Sequence, residues 1–176
     1  RFRRDGSSQD VREVVERVAQ EAGLSDLQDR RAGVLSGGQL RRLGLAMELT
    51  TDPALLLADE VTSGLDPKSE EEITFLLARL ARHAGRLVLL VTHSLRFLDL
   101  YDSAIVLSKG RLAYAAHPSG LTSYFQVETP ELIYPVLADR APEQWAEEWL
   151  SSPSEFGFEV EATVEDLIEK TLSPLK

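Results

Sequence analysis

Two short stretches, each built on an unbroken apolar run, constrain the fold of this chain more than anything else in it. They are "ALLLADE", residues 54–60, and "RLVLLVTH", residues 86–93. Apolar runs of strand length with no polar alternation read as strands buried on both faces, the pattern of a parallel sheet. The stretch between them reads as a helix of about five turns, ~18 residues at 3.6 per turn. Asp66 is placed to cap it, and Pro67 stands at its first position. Glu70, Glu71 and Glu72 crowd its start, where the helix dipole favours negative charge. Ile73, Leu76, Leu77, Leu80, Ala81 and Ala84 form its apolar stripe, and Gly85 is placed to end it. Strand, helix and strand in that order make a parallel crossover unit, so the fold class is α/β.

Helical periodicity also appears ahead of this unit. Val11, Val14, Val15, Val18, Ala19 and Ala22 make one stripe, Asp10 and Glu13 have capping-box spacing, and Gly23 is placed as the stop. A second helix is expected after "SGG", with Leu40, Leu43 and Met47 on one face. Beyond the crossover, "SLRFLDLYD" suggests a short helix, and "SAIVLS", "KG" and "RLAYAA" suggest a two-stranded hairpin. Short helices are expected around 119–125, 130–139 and 142–151, with Trp145 and Trp149 four apart on one face.

Composition narrows the function classes. The chain has 176 residues and no cysteine, which suits one domain and rules out disulfides, zinc–thiolate sites and thiol nucleophiles. No apolar run approaches the ~20 residues that span a bilayer. The opening "RFRRDGSS" is basic with no apolar region behind it, unlike a signal peptide, and lacks methionine, which suggests a fragment. Residues 121–176 hold 12 acids against 3 bases, so nucleic acid is not the expected partner there.

Chemistry could reside in three places. The first is "LSGGQLRR", residues 35–42. Ser36 and Gln39 have the S-x-x-Q spacing of a capping box, a purely structural reading. Gly37 and Gly38 also leave the backbone N–H groups of a helix start uncovered, so a phosphate could approach. No glycine in the chain is followed by lysine and no G-x-G occurs, so neither a P-loop nor a dinucleotide fingerprint is present. The second place is Asp59 and Glu60, at the carboxyl end of a strand, where ligands bind in open parallel sheets. One carboxylate there can hold a hard cation such as Mg²⁺, and another can orient and deprotonate a water. The third is His93, on the same sheet edge, able to donate a hydrogen bond to a phosphate oxygen. Each alone also reads as a loop or surface residue; His83 and His117 read only as surface residues.

In this order and spacing the stretches "LSGGQ" (35–39), "LLLADE" (55–60), "SGLD" (63–66) and "VTHS" (91–94) resemble the later part of the nucleotide-binding domain of ABC (ATP-binding cassette) proteins. They are similar to the signature sequence, the Walker B strand with its following glutamate, the D-loop and the switch-histidine loop. The resemblance runs from about 9 to 115. "LAMELTTDPALLLADEVTSGLD" and "YFQVETPELIYPVLADRAPEQWAEEW" look closest to the G subfamily, the eye-pigment and lipid exporters, and to its bacterial relatives.

The resemblance implies an organisation and a set of roles. Residues 1–52 would belong to a helical subdomain with the signature motif, 53–118 to the catalytic core, and 119–176 to a helical acidic extension. The chain would be the ATPase region of a transporter, an exporter by subfamily, at the cytoplasmic inner face of the membrane. Its partners would be a second nucleotide-binding domain, paired head to tail, and a transmembrane domain. Ser36, Gly37 and Gly38 would bind the γ-phosphate of ATP held by the partner domain, with Gln39 supporting the turn. Asp59 would act on Mg²⁺, Glu60 on the attacking water, His93 on the γ-phosphate, and Asp66 would connect the two sites. A phosphate loop and a glutamine loop would lie upstream of Arg1, and without them the chain is expected to show no turnover by itself and to self-associate. Val61 stands where the family usually has proline, and Leu40 where a basic or polar residue is common. A non-transport ABC ATPase of DNA repair or translation, and a half-site dependent on a partner, are the alternative readings.

Overall fold

The computed structural model of the protein describes residues 8–82 and 86–151. The expectations for His83, Ala84, Gly85 and residues beyond 151 lie outside them. The chain divides into two units, Arg1–Leu100 and Tyr101–Lys176.

In the first unit, helix α1 (Ser8–Glu21) packs with α2 (Gly37–Leu49) and α3 (Pro67–Arg82) against strands β1 (Leu55–Asp59) and β2 (Leu87–Val91). α1 begins at Ser8, so Asp10 is a first-turn acid rather than the expected cap. Its end is the expected one. Gly23 takes φ +67°, its N–H bonds to the Gln20 carbonyl at 3.1 Å, and the Leu24 N–H bonds to the Ala19 carbonyl at 2.7 Å. This crossed pair satisfies the last carbonyls of the helix. Val18, Ala19 and Ala22 are buried, whereas Val11 and Val15 lie in solvent.

Of the three residues expected on one face of α2, only Leu43 packs against the core. Leu40 and Met47 are exposed, and the helix buries Gly38, Leu45, Ala46 and Leu49. Both stripes have helical spacing, and the packing of α1 and α3 selects between them. The core joins these residues to Leu56 and Ala58 of β1 and to Ile73, Leu76, Leu77 and Leu80 of α3, the stripe read from sequence.

β1 and β2 pair in parallel, Leu55 opposite Leu87 through Asp59 opposite Val91. They are not buried on both faces as their composition suggested. Leu56 and Ala58 point into the core, while Leu55, Leu57, Leu87, Leu89 and Val91 are exposed on the other face. The three helices cover one side of this two-stranded sheet, and a sheet needs a second layer to hide the other. Arg86 locks the edge of the unit. Its guanidinium, 7% exposed, pairs with Glu21 at 2.9 Å and with Asp52 at 2.5 Å. One buried cation thereby joins the end of α1, the turn before β1 and the start of β2. Burial raises the Glu21 carboxyl, but hydrogen bonds from Arg86 and Arg17 outweigh it and hold the group below its ordinary range.

In the second unit, β3 (Ala104–Ser108) and β4 (Arg111–Ala116) form the expected antiparallel hairpin. Lys109 and Gly110 both take positive φ, 45° and 80°, as a two-residue primed turn requires. Among the described residues three helices follow, α4 (Leu121–Tyr124), α5 (Ile133–Asp139) and α6 (Pro142–Ser151), the first two each preceded by a single 3-10 turn. Tyr114, Tyr124, Phe125, Trp145 and Trp149 stack into an aromatic core with ring centroids 4.9–6.3 Å apart. The helix expected at "SLRFLDLYD" is only a 3-10 turn, Leu98–Leu100. Among the described residues, no helix is long and apolar enough to cross a membrane.

Candidate functional site

Every candidate site residue read from sequence lies in the first unit, in two groups. The first is built on the N-terminus of α2. Ser36 has extended backbone, φ −67° and ψ 166°. Its hydroxyl accepts from the Gln39 N–H at 3.3 Å, and its own N–H donates to the Gln39 side-chain oxygen at 3.0 Å. The capping box read from sequence is complete, and it coexists with an open helix end. The box uses the Gln39 amide, while the amides of Gly37 and Gly38 have no acceptor within the helix. The first turn of α2 carries no acid, so no side chain of its own neutralises the positive end of the helix. A neutral cap, an exposed Gly37 and that uncompensated partial charge fit a phosphate.

Gly38 is glycine for a second reason that the sequence did not disclose. Gly38 is buried, and a Cβ built on it would stand 2.9 Å from Ser69 Oγ; one on Gly37 would meet Leu65 Cδ2 at 3.6 Å. The signature-like turn therefore rests on the start of α3. There Asp66 is the cap. Its Oδ1 accepts from the Lys68 and Ser69 N–H groups at 3.1 Å each, and its Oδ2 accepts from the Ser69 hydroxyl at 2.6 Å. The Ser69 hydroxyl, then its amide, hold the Asp66 carboxyl below its ordinary value.

The second group sits at the carboxyl edge of the sheet. Asp59 ends β1 with its side chain in solvent. Glu60 follows in left-handed conformation, φ +50°, uncommon for a residue with a Cβ and concentrated at functional sites. Its N–H bonds to the Val91 carbonyl at 2.9 Å, and its own carbonyl accepts from the Ser63 N–H at 3.0 Å. The reversal of direction brings the Glu60 carboxylate to His93, whose Nδ1 lies 2.9 and 3.1 Å from its two oxygens. His93 stands two residues past β2, in a loop shaped by the Ser94 N–H donating to Thr92 Oγ1 at 3.0 Å. Arg96 ties that loop to α3 through Glu70 at 2.9 Å.

Among the described residues no three of His, Asp or Glu gather as a metal site. Asp59 offers a single exposed carboxylate, which fits Mg²⁺ held mainly by water and phosphate oxygens. Ser69 and Leu65 were missed from sequence. The only signal was D-x-x-S spacing, which places a hydroxyl within reach of a capping carboxylate.

Comparison with known proteins follows these motifs. Residues 3–63 match the family described as ABC transporter. The chain is 40% identical over 136 residues to the ABC transporter ATP-binding/permease protein Rv1747 of Mycobacterium tuberculosis, covering 77% of this chain and 16% of that one. It is 33% identical over 150 residues to the methionine import ATP-binding protein MetN of Bradyrhizobium diazoefficiens, covering 84% and 43%. The fold is similar to CbiO1 of Clostridium perfringens, part of the ABC transporter complex CbiONQ, with TM-score 0.63, 27% identity, and coverage of 82% of this chain and 55% of that one. The chain spans less than half the length of these two curated relatives.

Proposed function

Starting from a chain with the sequence and fold of an ABC transporter nucleotide-binding domain, we propose that it contributes to two ATP sites of a head-to-tail dimer and drives transport by ATP hydrolysis. The observation that carries the reading is the pairing of Glu60 with His93 at the carboxyl edge of the sheet, beside Asp59. Asp59 would hold Mg²⁺, which neutralises phosphate charge when bound. Glu60 would orient a water and take its proton as the water oxygen bonds to the γ-phosphorus and the bond to the β-phosphate oxygen breaks. His93 faces Glu60 through Nδ1, so Nε2 is the ring nitrogen that would meet a γ-phosphate oxygen, and it donates there when the ring carries both protons. The 36–39 turn would bind the γ-phosphate of ATP held by a second nucleotide-binding domain, and Asp66 would connect the two sites.

Splitting each site between two domains makes closure a condition of reaction, which couples hydrolysis to motion. The membrane-crossing part would be a transmembrane domain contacted at the cytoplasmic face. The named relatives are transport proteins, which favours transport over DNA repair or translation. Export and kinship with the G subfamily rest on the motif resemblance; the relatives include a methionine import protein.

The test is Glu60→Gln in the full-length protein. Loss of the proton acceptor is expected to lower phosphate release by roughly 100-fold or more while ATP binding persists. Unchanged phosphate release would overturn the reading.

A further inference from the structure

We propose that Ser69 is a positioning residue that joins the 36–39 turn to the Asp66 loop within one chain, so that the two halves of the dimer contact move as one body. Four observations meet at this point. A Cβ on Gly38 would stand 2.9 Å from the Ser69 hydroxyl and 3.1 Å from the Ser69 Cβ, too close for either. The same hydroxyl donates to Asp66 Oδ2 at 2.6 Å, and the Ser69 amide donates to Asp66 Oδ1 at 3.1 Å. Leu65, next to Asp66, stands 3.6 Å from the Cβ position of Gly37. Neither glycine takes positive φ, so the backbone alone would accept alanine at both.

The requirement for glycine at 38 is therefore a requirement of packing against Ser69. A phosphate pulling on the amides at the start of α2 shifts the turn against Ser69. Ser69 in turn sets where the Asp66 carboxylate points. Packed contacts of this kind are bistable rather than soft, so a small shift is passed on and not absorbed. This deepens the proposed function and rests on it, because the turn and Asp66 are taken to face a partner domain.

The experiment is a mutant cycle in the full-length protein: Gly38→Ala, Ser69→Gly, the double variant, and Ser69→Ala, with Glu60→Gln as the control without turnover. Gly38→Ala is expected to lower kcat roughly 10- to 100-fold by displacing the turn. Adding Ser69→Gly removes the obstructing side chain, so the double variant is expected to rise from that loss to the kcat of Ser69→Gly alone, which itself lacks the bond to Asp66. Ser69→Ala keeps the Cβ that faces Gly38 but cuts the bond to Asp66, so kcat falls while KM for ATP stays near wild type. A double variant no better than Gly38→Ala, or Ser69→Ala with wild-type kcat, would overturn the proposal. The same cycle read in melting temperature needs no turnover: Gly38→Ala lowers it in wild type but not further in Ser69→Gly. If Glu60→Gln turned over like wild type, the ATPase reading would fall, and the melting cycle would still decide the coupling.

Discussion

α2 and α3 start a few ångströms apart and solve the same electrostatic problem in opposite ways. Each presents unpaired amides and a positive dipole end. α3 fills that end from its own sequence: Asp66 accepts from two amides and a hydroxyl, and Glu70 adds a second carboxylate in the first turn. α2 is capped by a neutral serine and carries no acid in its first turn. Both ends are well capped, so stability does not distinguish them. What distinguishes them is whether an anion is supplied from within or left to come from outside. A helix start that is capped yet uncharged leaves its positive end open to an outside anion, which is the role we propose for α2.

The contrast breaks most sharply if α2 is made like α3. Ser36→Asp preserves the cap, since aspartate caps as well as serine, but installs the anion that α2 lacks. In the full-length protein this variant is expected to lose ATP turnover by roughly 100-fold, the scale of losing one aligned backbone donor to developing charge. Its melting temperature should hold or rise slightly, because the added charge favours the dipole. Retained turnover would mean that the helix end meets no phosphate.

A smaller effect sharpens the contrast through pH. The Asp66 carboxyl is held below its ordinary value of 3.8, first by the Ser69 hydroxyl and then by the backbone. A depressed carboxyl stabilises the fold above its unfolded value and ceases to do so as pH falls through its lowered folded value. Denaturant midpoints should therefore decline below about pH 4. Asp52 and Glu21 add to that decline with the same sign through Arg86. Asp66→Asn should remove part of the slope, while the start of α2, capped by a group that does not titrate, adds none. A slope identical in wild type and Asp66→Asn would show that the α3 cap carries no charge-dependent stability.

Much of this was legible in the sequence because it is written in short spacings. The Ser36 and Gln39 box, the Asp66 cap and the Gly23 stop each depend on residues close along the chain. What was not legible depends on neighbours distant in sequence. Leu40 and Met47 share a helical stripe, yet Leu45, Ala46 and Leu49 face the core because α1 and α3 lie on that side. The alternating exposure of Leu55, Leu56 and Leu57 cannot be read from three identical residues. Gly38 reads from sequence as a glycine kept for a ligand, and only the position of Ser69, 31 residues on, shows the neighbour it packs against. The left-handed Glu60 has no glycine to announce it.

The central claim is that the 36–39 turn acts on ATP held by the other domain of a pair. It is tested by mixing two full-length variants, Glu60→Gln and Ser36→Arg, each inactive alone. If the turn works across the dimer, a mixed pair gathers both defects into one site and leaves the other site whole. Random pairing makes half of the dimers mixed with one of two sites intact, so turnover should return to roughly a quarter of wild type. If the turn served its own chain's nucleotide, every site in the mixture would carry one defect. Turnover that stays at the level of the separate variants would contradict the account.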